Sequence, residues 1–249
     1  MKNEIILWLS SLIIVFLIGY TKNVTSTDYP VTGTFGIEGK KVSYKLDKVS
    51  YDKTAYKNII ISDIKGVSGK LTWMQDNIQD EIELKEIQRG LAAEIPVLEP
   101  GEQINYKINL TYLDRQYKIP EKDFVTLTFW GNIPSPVNIL HFILLYGGLL
   151  MSIRCGLELF NTERNLKKYL VIGCTFFITL TILIHPLYKS YKLGAINKNI
   201  PNILELLEPF YLVIMLLWVI GAVFIFNKKY VSLVTIFISS ATILLYYLL

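Results

Sequence analysis

The chain has 249 residues, of which 52% are hydrophobic and only 18% are charged. Soluble domains usually carry about 25% charged residues, so this deficit argues against a wholly soluble protein. Residues 22–135 hold 15 Lys and Arg against 16 Asp and Glu, whereas the rest of the chain holds 10 and 5. The net positive charge therefore lies beside apolar segments, and no basic stripe of the kind that binds nucleic acid is present.

Five apolar segments indicate membrane spans, since each approaches the ~20 residues that cross a bilayer. They cover residues 5–20, 137–153, 170–187, 210–226 and 230–249. The first is short and follows Lys2, as in a signal sequence, but no small-residue cleavage site comes after it. We predict an uncleaved signal anchor or first transmembrane helix in residues 1–21, rather than a cleaved peptide, and a four-helix transmembrane domain in residues 133–249.

Basic residues in short loops predict the orientation of these spans, because cytoplasmic loops carry an excess of them. One side holds Lys2, Arg154, Arg164, Lys167, Lys168, Lys228 and Lys229; the other holds Lys189, Lys192 and Lys198. The first side should be cytoplasmic, with the N-terminus inside and residues 22–132 extracytoplasmic. The richness in Lys, Ile, Asn and Tyr suits a bacterium, so we expect the bacterial inner membrane.

Between the first two spans, apolar and polar residues alternate with the period of β-strands. Ile104, Tyr106 and Ile108, for example, alternate with Asn105 and Lys107. The predicted strands are 32–37, 42–46, 56–61, 69–74, 81–87, 91–97, 104–112 and 125–129, with turn residues between them. Short strands at this spacing predict an antiparallel, immunoglobulin-like or fibronectin-like β-sandwich in residues 22–132. The predicted fold class is therefore a membrane α-helical bundle of four or five transmembrane helices plus an all-β immunoglobulin-like sandwich domain.

Cysteine and histidine are both absent from residues 22–132. Disulfides cannot hold this domain together, and it cannot contain a Ser-His-Asp or Cys-His catalytic arrangement. The two cysteines, Cys155 and Cys174, lie in apolar segments, where we expect reduced thiols that pack between helices.

Several segments resemble a group of uncharacterised bacterial integral membrane proteins. They are TGTFGIEGKKVSYKL at 32–46, GNIPSP at 131–136, the His141 helix with Arg154-Cys-Gly, and Pro186 with Tyr191 and Gly194-Ala195. The resemblance implies an extracytoplasmic immunoglobulin-like domain followed by a four-helix membrane unit, and it implies no reaction. A Gly-His-Asp motif expected in the outer loop is missing, because residues 196–208 contain no histidine.

His141 and His185 are the sharpest chemical feature of the sequence. His141 lies about one turn into its helix and His185 just before the neighbouring antiparallel helix returns to the same side, so both rings should lie at a similar depth. An intramembrane histidine suggests a functional site. The pair could bind the iron of haem b, supply half of a metal site or carry protons. The alternative is a structural role near the membrane interface. It is favoured because two histidines alone leave a zinc or copper site incomplete. Apart from this haem alternative, the sequence predicts no cofactor.

Small and polar residues on the same helices predict close helix packing. They are Gly147, Gly148, Ser152, Cys155 and Thr181. Arg154 is expected at this interface as well, with its side chain snorkelling to the inner membrane surface. Glu205 and Glu208 should form a solvated face.

These features favour a non-enzymatic membrane protein, an accessory or assembly subunit whose outer domain binds a partner. Its expected partners are the lipid bilayer and other membrane proteins. The first alternative is a redox subunit that holds haem b or a metal through His141 and His185. The second is an extracytoplasmic ligand sensor or carbohydrate-binding module, which an exposed Trp73 or Trp130 would favour.

Overall fold

A computed structural model describes residues 2–249 except 38–39, 52–55, 62–65, 77, 88–89, 114, 122, 162–164 and 196–201. The predicted turns at 38–39, 63–65 and 89, and the basic residues Arg164 and Lys198, lie outside the described residues. The chain forms two compact units. The helical unit comprises residues 1–25, 133–191 and 195–249, and the β unit comprises residues 26–132 and 192–194.

Five of the described helical stretches are long and apolar enough to cross a membrane: Asn3–Thr25, Ser135–Phe160, Leu166–Lys192, Pro209–Phe226 and Val231–Leu248. This confirms the predicted number of candidate spans. The helices are α1 (Lys2–Thr25), α2 (Ser135–Leu157), α3 (Leu166–Thr179), α4 (His185–Lys192), α5 (Ile203–Leu206), α6 (Pro209–Phe226) and α7 (Val231–Leu248). A 3-10 turn, Glu158–Phe160, extends α2, and a π-helical segment, Leu180–Ile184, joins α3 to α4.

Local sequence accounts for several helix ends. Proline lies in the first turn of both α2 and α6, where its missing N–H leaves no intrahelical bond unmade and its fixed φ suits the helix. Asn227 ends α6, and Lys228 and Tyr230 adopt positive φ. This left-handed turn reverses the chain within four residues and makes α6 and α7 antiparallel neighbours.

The β unit has eleven described strands in two sheets. The strands are β1 (Val31–Ile37), β2 (Lys40–Leu46), β3 (Val49–Ser50), β4 (Tyr56–Ile61), β5 (Ser68–Gln75), β6 (Ile78–Glu83), β7 (Lys85–Ile87), β8 (Gly90–Pro96), β9 (Gln103–Tyr112), β10 (Arg115–Ile119) and β11 (Val125–Phe129). One sheet has the order β1-β2-β4-β8-β7, and the other β3-β11-β9-β5-β6, with β10 also paired to β9.

Both sheets contribute to one apolar core. The alternation predicted along β9 is confirmed, since Ile104, Tyr106 and Ile108 are buried, whereas the side chains between them are more exposed. From the other sheet, Leu46 and Ile95 belong to the same core cluster. A period of two thus separates the buried face of β9 from its more exposed face.

The strand predictions need three corrections. The predicted strand at 81–87 is two strands, because β6 pairs with β5 in one sheet and β7 pairs with β8 in the other. The sequence carries the signal: the apolar positions shift phase between Leu84 and Ile87, and a shift of one residue turns side chains to the opposite face. Strands β3 and β10 were missed, and β3 pairs with β11 in parallel, so the unit is not wholly antiparallel.

Tyr106 makes the β unit sensitive to alkaline pH. Its hydroxyl donates a hydrogen bond to the backbone oxygen of Asp47 at 2.9 Å. Burial raises the pKa of Tyr106 far above its ordinary value, and the Asp47 carboxylate raises it further. The folded state therefore favours the neutral phenol. The stability that depends on it is intact below about pH 10 and is lost as the pH rises above that value.

We expect Tyr106→Phe to lower the unfolding free energy by about 1 kcal/mol at pH 7, because the hydrogen bond to Asp47 is lost. At pH 11 the deficit relative to the wild type should shrink or reverse, since phenylalanine cannot ionise. Urea unfolding of the full-length protein in detergent, followed by far-UV circular dichroism, measures both values. Tyr29→Phe, at an exposed position, is the control, and an equal deficit at both pH values would contradict the argument.

Candidate functional site

Helices α2 and α4 bring the two histidines of the helical unit together. His185 follows the π-helical segment directly, and Pro186 comes next in the chain. A proline inside a helix lacks an N–H and its ring clashes with the carbonyl four residues earlier, here that of Ile182. The widened turns absorb this clash, and such π segments often mark functional positions.

The prediction that the two rings lie at a similar depth is confirmed. His141 Nε2 and His185 Nδ1 are 3.1 Å apart, which is hydrogen-bond distance. The ring centroids are separated by 5.4 Å and the rings are tilted by 40°. Such a bond requires one facing nitrogen to carry a proton and the other to accept it, so the two rings adopt complementary tautomers.

Two tyrosines complete the surroundings of this pair, and both were missed in the sequence. Tyr188 stacks on His141 with a centroid distance of 4.2 Å and an interplanar angle of 19°. Tyr211, from α6, meets the ring of His185 edge-on at 4.5 Å. The spacing of three residues between His185 and Tyr188 was the available signal, because such residues share a helix face.

The geometry favours a hydrogen-bonded pair over axial ligation of haem. An iron between two imidazoles separates the ligating nitrogens by about 4 Å, since each metal–imidazole bond is about 2 Å long. The observed 3.1 Å is shorter. Among the described residues, no group of three His, Cys, Asp or Glu side chains is placed to hold a metal ion. The arrangement supports a proton shared between two rings inside an aromatic enclosure.

We expect His141→Phe to preserve the stacking on Tyr188 and to remove only the hydrogen bond to His185. The cost should be about 1–3 kcal/mol, because the nitrogen of His185 is then left with no partner from position 141. The unfolding midpoint of the purified protein in detergent measures this cost. Phe142→Leu, at the neighbouring exposed position, is the control, and equal midpoints for the two variants would argue against a structural bond.

The predicted packing glycines lie where α2 and α3 touch. A Cβ atom added at Gly147 would lie 2.7 Å from the ring of Phe176, and one at Gly148 would lie 2.8 Å from the ring of Phe177. Real Cβ atoms essentially never show such short contacts. Glycine at both positions therefore lets the aromatic side chains of α3 lie against the backbone of α2.

Two of the other predicted packing residues make hydrogen bonds between helices, and Cys155 is buried. Ser152 and Ser239 exchange hydrogen bonds between α2 and α7, each hydroxyl donating to the other residue's backbone oxygen, at 3.4 and 2.8 Å. Thr181 donates to the backbone oxygen of Tyr211 on α6. Cys155 is buried as a free thiol. Hydroxyls bonded across helices in this way stabilise helix association in lipid.

The predicted snorkelling of Arg154 is wrong, because its side chain is enclosed by other protein groups. Its exposure is 0%, as is that of Glu158 one turn later, and the two side chains form an ion pair. The guanidinium also donates to the Tyr169 hydroxyl at 3.5 Å. A carboxylate four residues along the chain neutralises the charge, so Arg154 needs no lipid headgroup.

Glu158 also organises the connection from α2 to α3. Its Oε1 atom accepts hydrogen bonds from the Asn161 side chain at 3.1 Å and from the Asn165 backbone N–H at 2.6 Å. One carboxylate thus bonds to Arg154 and to both ends of the connection whose middle residues are not described. The ion pair and these hydrogen bonds lower the cost of burying the Glu158 carboxylate.

Helix α1 joins the same network. The Tyr169 hydroxyl donates to Glu4 Oε1 at 3.3 Å, and the Trp8 ring meets Tyr169 edge-on at 5.6 Å. The guanidinium carbon of Arg154 lies 5.4 Å from the centroid of the Trp8 ring and 4.6 Å from that of Tyr169. Sequence reasoning missed Glu4 and Trp8, although Glu4 is the only acidic residue before Asp28.

We expect Arg154→Leu to destabilise the helical unit by about 3–5 kcal/mol, because it leaves the Glu158 carboxylate buried without a cation. The double variant Arg154→Leu, Glu158→Leu should recover most of this loss, since it removes both charges. Thermal unfolding in detergent provides the comparison. Lys229→Leu, at an exposed turn position, should have little effect; a double variant as unstable as the single one would contradict the ion-pair argument.

The β unit contains a broad cleft with a volume of about 1150 Å³. Its aromatic lining consists of Tyr44, Tyr117, Phe124 and Trp130, and its charged lining of Asp28, Lys48, Lys118, Glu121 and Asp123. Strand β1 contributes Val31 and Thr34. An edge strand of one sheet therefore borders the cleft together with β10 of the other sheet.

The ring of Tyr44 reaches this cleft because Gly33 lies opposite it. The two residues are paired between β1 and β2, and a Cβ atom at position 33 would overlap the Tyr44 ring. The glycine thus lets the tyrosine lie across the edge strand.

Comparisons of the chain with protein-family models, with curated proteins and with solved structures found no match. The basis for a function is therefore the geometry of the two units themselves.

Proposed function

We propose that the β unit is an immunoglobulin-like sandwich. The order β2-β4-β8-β7 in one sheet and β11-β9-β5 in the other corresponds to the strand orders A-B-E-D and G-F-C of that fold. Trp73 lies on β5, in the place of the strand C tryptophan. This architecture also fits the resemblance to bacterial membrane proteins with an outer domain before a four-helix unit.

We further propose that α1 stays attached as a signal anchor and that the β unit is extracytoplasmic at the bacterial inner membrane. Retention is supported by contacts of α1 at both ends, with Glu4 bound to Tyr169 and Lys22 bound to the Tyr247 backbone oxygen at 3.0 Å. The orientation is supported by the loop lysines, because α3 and α7 both begin on the side with more basic residues.

The function that this geometry supports best is partner binding, in an accessory or assembly subunit of a membrane complex. The observation that carries it is the edge strand β1. Its sequence, VTGTFGI, has seven residues without a charge or a proline, and its only neighbour among the described strands of the sheet is β2. An edge of this kind presents N–H and C=O groups for pairing with another chain.

The other described edge strands carry charged residues, apart from β3, which has only two residues. Strand β7 carries Lys85 and Glu86, β6 carries three acidic residues, and β10 carries Arg115 and Lys118. Proteins use charged edge residues to prevent strand pairing with other molecules. Since β1 lacks such residues where these described edge strands have them, we infer that a partner strand adds to it.

The cleft beside β1 supplies the selectivity. Small-molecule pockets usually have about 300–1,000 Å³, whereas this cleft has about 1150 Å³ and accommodates a peptide segment. In strand addition, backbone bonds give affinity and pockets for alternate side chains give specificity. The aromatic rings suit apolar side chains of the partner, and the charged lining, which has two lysines and three acidic residues, suits polar ones.

A non-enzymatic role is consistent with the chemistry of both units. Residues 22–132 contain no histidine or cysteine. In the helical unit, the buried Arg154 and Glu158 neutralise each other and His141 bonds to His185. These contacts link neighbouring helices.

We expect a photoreactive phenylalanine analogue at Thr34, on β1, to form a discrete adduct with one partner in native membranes. The same analogue at Gln79, an exposed position on the charged edge strand β6, should form none. Thr32→Lys should abolish the Thr34 adduct, because a charge on β1 opposes strand pairing. Gel mobility and mass spectrometry of the full-length protein report each adduct.

Two outcomes would contradict the proposal: equal adducts at Thr34 and Gln79, or a Thr34 adduct that survives Thr32→Lys. The compartment is tested on the same cells with a cysteine at Lys85. A membrane-impermeant thiol reagent should label it in intact cells, and labelling only after lysis would place the β unit on the other side.

A further inference from the structure

We propose that a basic pocket at one end of the helical unit binds the phosphate of an anionic lipid headgroup. The pocket has a volume of about 440 Å³ and is lined by Asn165, Leu166, Lys167, Lys168, Ile225, Lys228 and Val231. We call it the lysine pocket. It lies outside the β unit and does not depend on the partner proposed for β1.

The position of the lysine pocket matches the depth of lipid headgroups. Its residues come from the start of α3, the end of α6 with its turn, and the start of α7. All three helices are candidate membrane spans. A pocket at their common end therefore lies where the hydrocarbon gives way to the polar region of a bilayer.

The electrostatics of the lysine pocket favour an anion from two sources. Lys167, Lys168 and Lys228 are part of its lining, and the described lining residues include no acidic side chain. The nearby Glu158 is engaged by Arg154 and by the Asn165 backbone. In addition, α3 and α7 both start here, and the N-terminus of a helix carries a partial positive charge that attracts phosphate. The C-terminus of α6 offsets one of these two partial charges.

Nearby apolar groups favour a lipid over a free phosphate. Val171, one turn after Lys167, is 50% exposed, and Leu233 on α7 is 69% exposed. The ammonium of Lys167 lies 5.3 Å from the centroid of the Phe226 ring, which is itself exposed. An acyl chain can therefore lie along these side chains while its headgroup occupies the pocket. Basic pockets between transmembrane helices bind anionic headgroups elsewhere by the same physics.

The test compares full-length protein in nanodiscs of phosphatidylcholine containing increasing fractions of phosphatidylglycerol, with bound lipid counted by native mass spectrometry. The pocket variant carries Lys167→Gln, Lys168→Gln and Lys228→Gln. The control variant carries Lys45→Gln, Lys85→Gln and Lys229→Gln, which removes the same charge at exposed positions outside the pocket. We expect about 100-fold weaker phosphatidylglycerol binding for the pocket variant and little change for the control.

A second arm adds millimolar inorganic phosphate to protein in neutral detergent without anionic lipid. Phosphate binding in this arm with an affinity equal to that of the lipid in the nanodiscs would overturn the lipid assignment and identify a free phosphate group as the ligand. Equal lipid binding by the pocket and control variants would overturn the site altogether. Lys228→Gln alone, with an expected loss of about fivefold, serves as the test if the triple variant fails to fold.

Discussion

An ion pair enclosed by apolar helices sets the arrangement of the helical unit. Arg154 and Glu158 are both fully buried, and removing either one would leave the other charge buried without compensation. This requirement fixes the positions of Tyr169 and of both ends of the connection between α2 and α3. Through Tyr169 it extends to Glu4 on α1, so three helices depend on one neutralised charge.

A second polar contact of α2 is the hydrogen bond between His141 and His185. The pair is uncharged when its tautomers are complementary, and it links α2 to α4 where Pro186 interrupts the regular helix. Between the two polar contacts the helices meet through glycine, serine and aromatic side chains, with Gly148 against Phe177 as an example. Polar contacts thus specify which helices are neighbours, and small residues allow the close approach that lipid alone does not drive.

Much of this fold could be predicted from local patterns. Long apolar runs gave the five candidate spans, period-two alternation gave most of the strands, and helical rise placed His141 beside His185. The patterns failed where tertiary structure decides. The direction of the Arg154 side chain depends on its contacts with Glu158 and Tyr169. Residues 81–87 form two strands because each half pairs with a different sheet. The unprotected edge of β1 and the cleft beside it result from strand order, which no local period reveals.

The attachment of α1 has a consequence for biogenesis. Glu4 is made among the first residues, but its hydrogen-bond donor Tyr169 comes 165 positions later in the chain. At synthesis rates of about 5–20 residues per second, that interval is on the order of 10–30 s. During this time the first helix must wait in the membrane with its carboxyl group near the polar boundary. The order of translation thus places the contact of the third span with the first after the synthesis of the second span and before that of the last two.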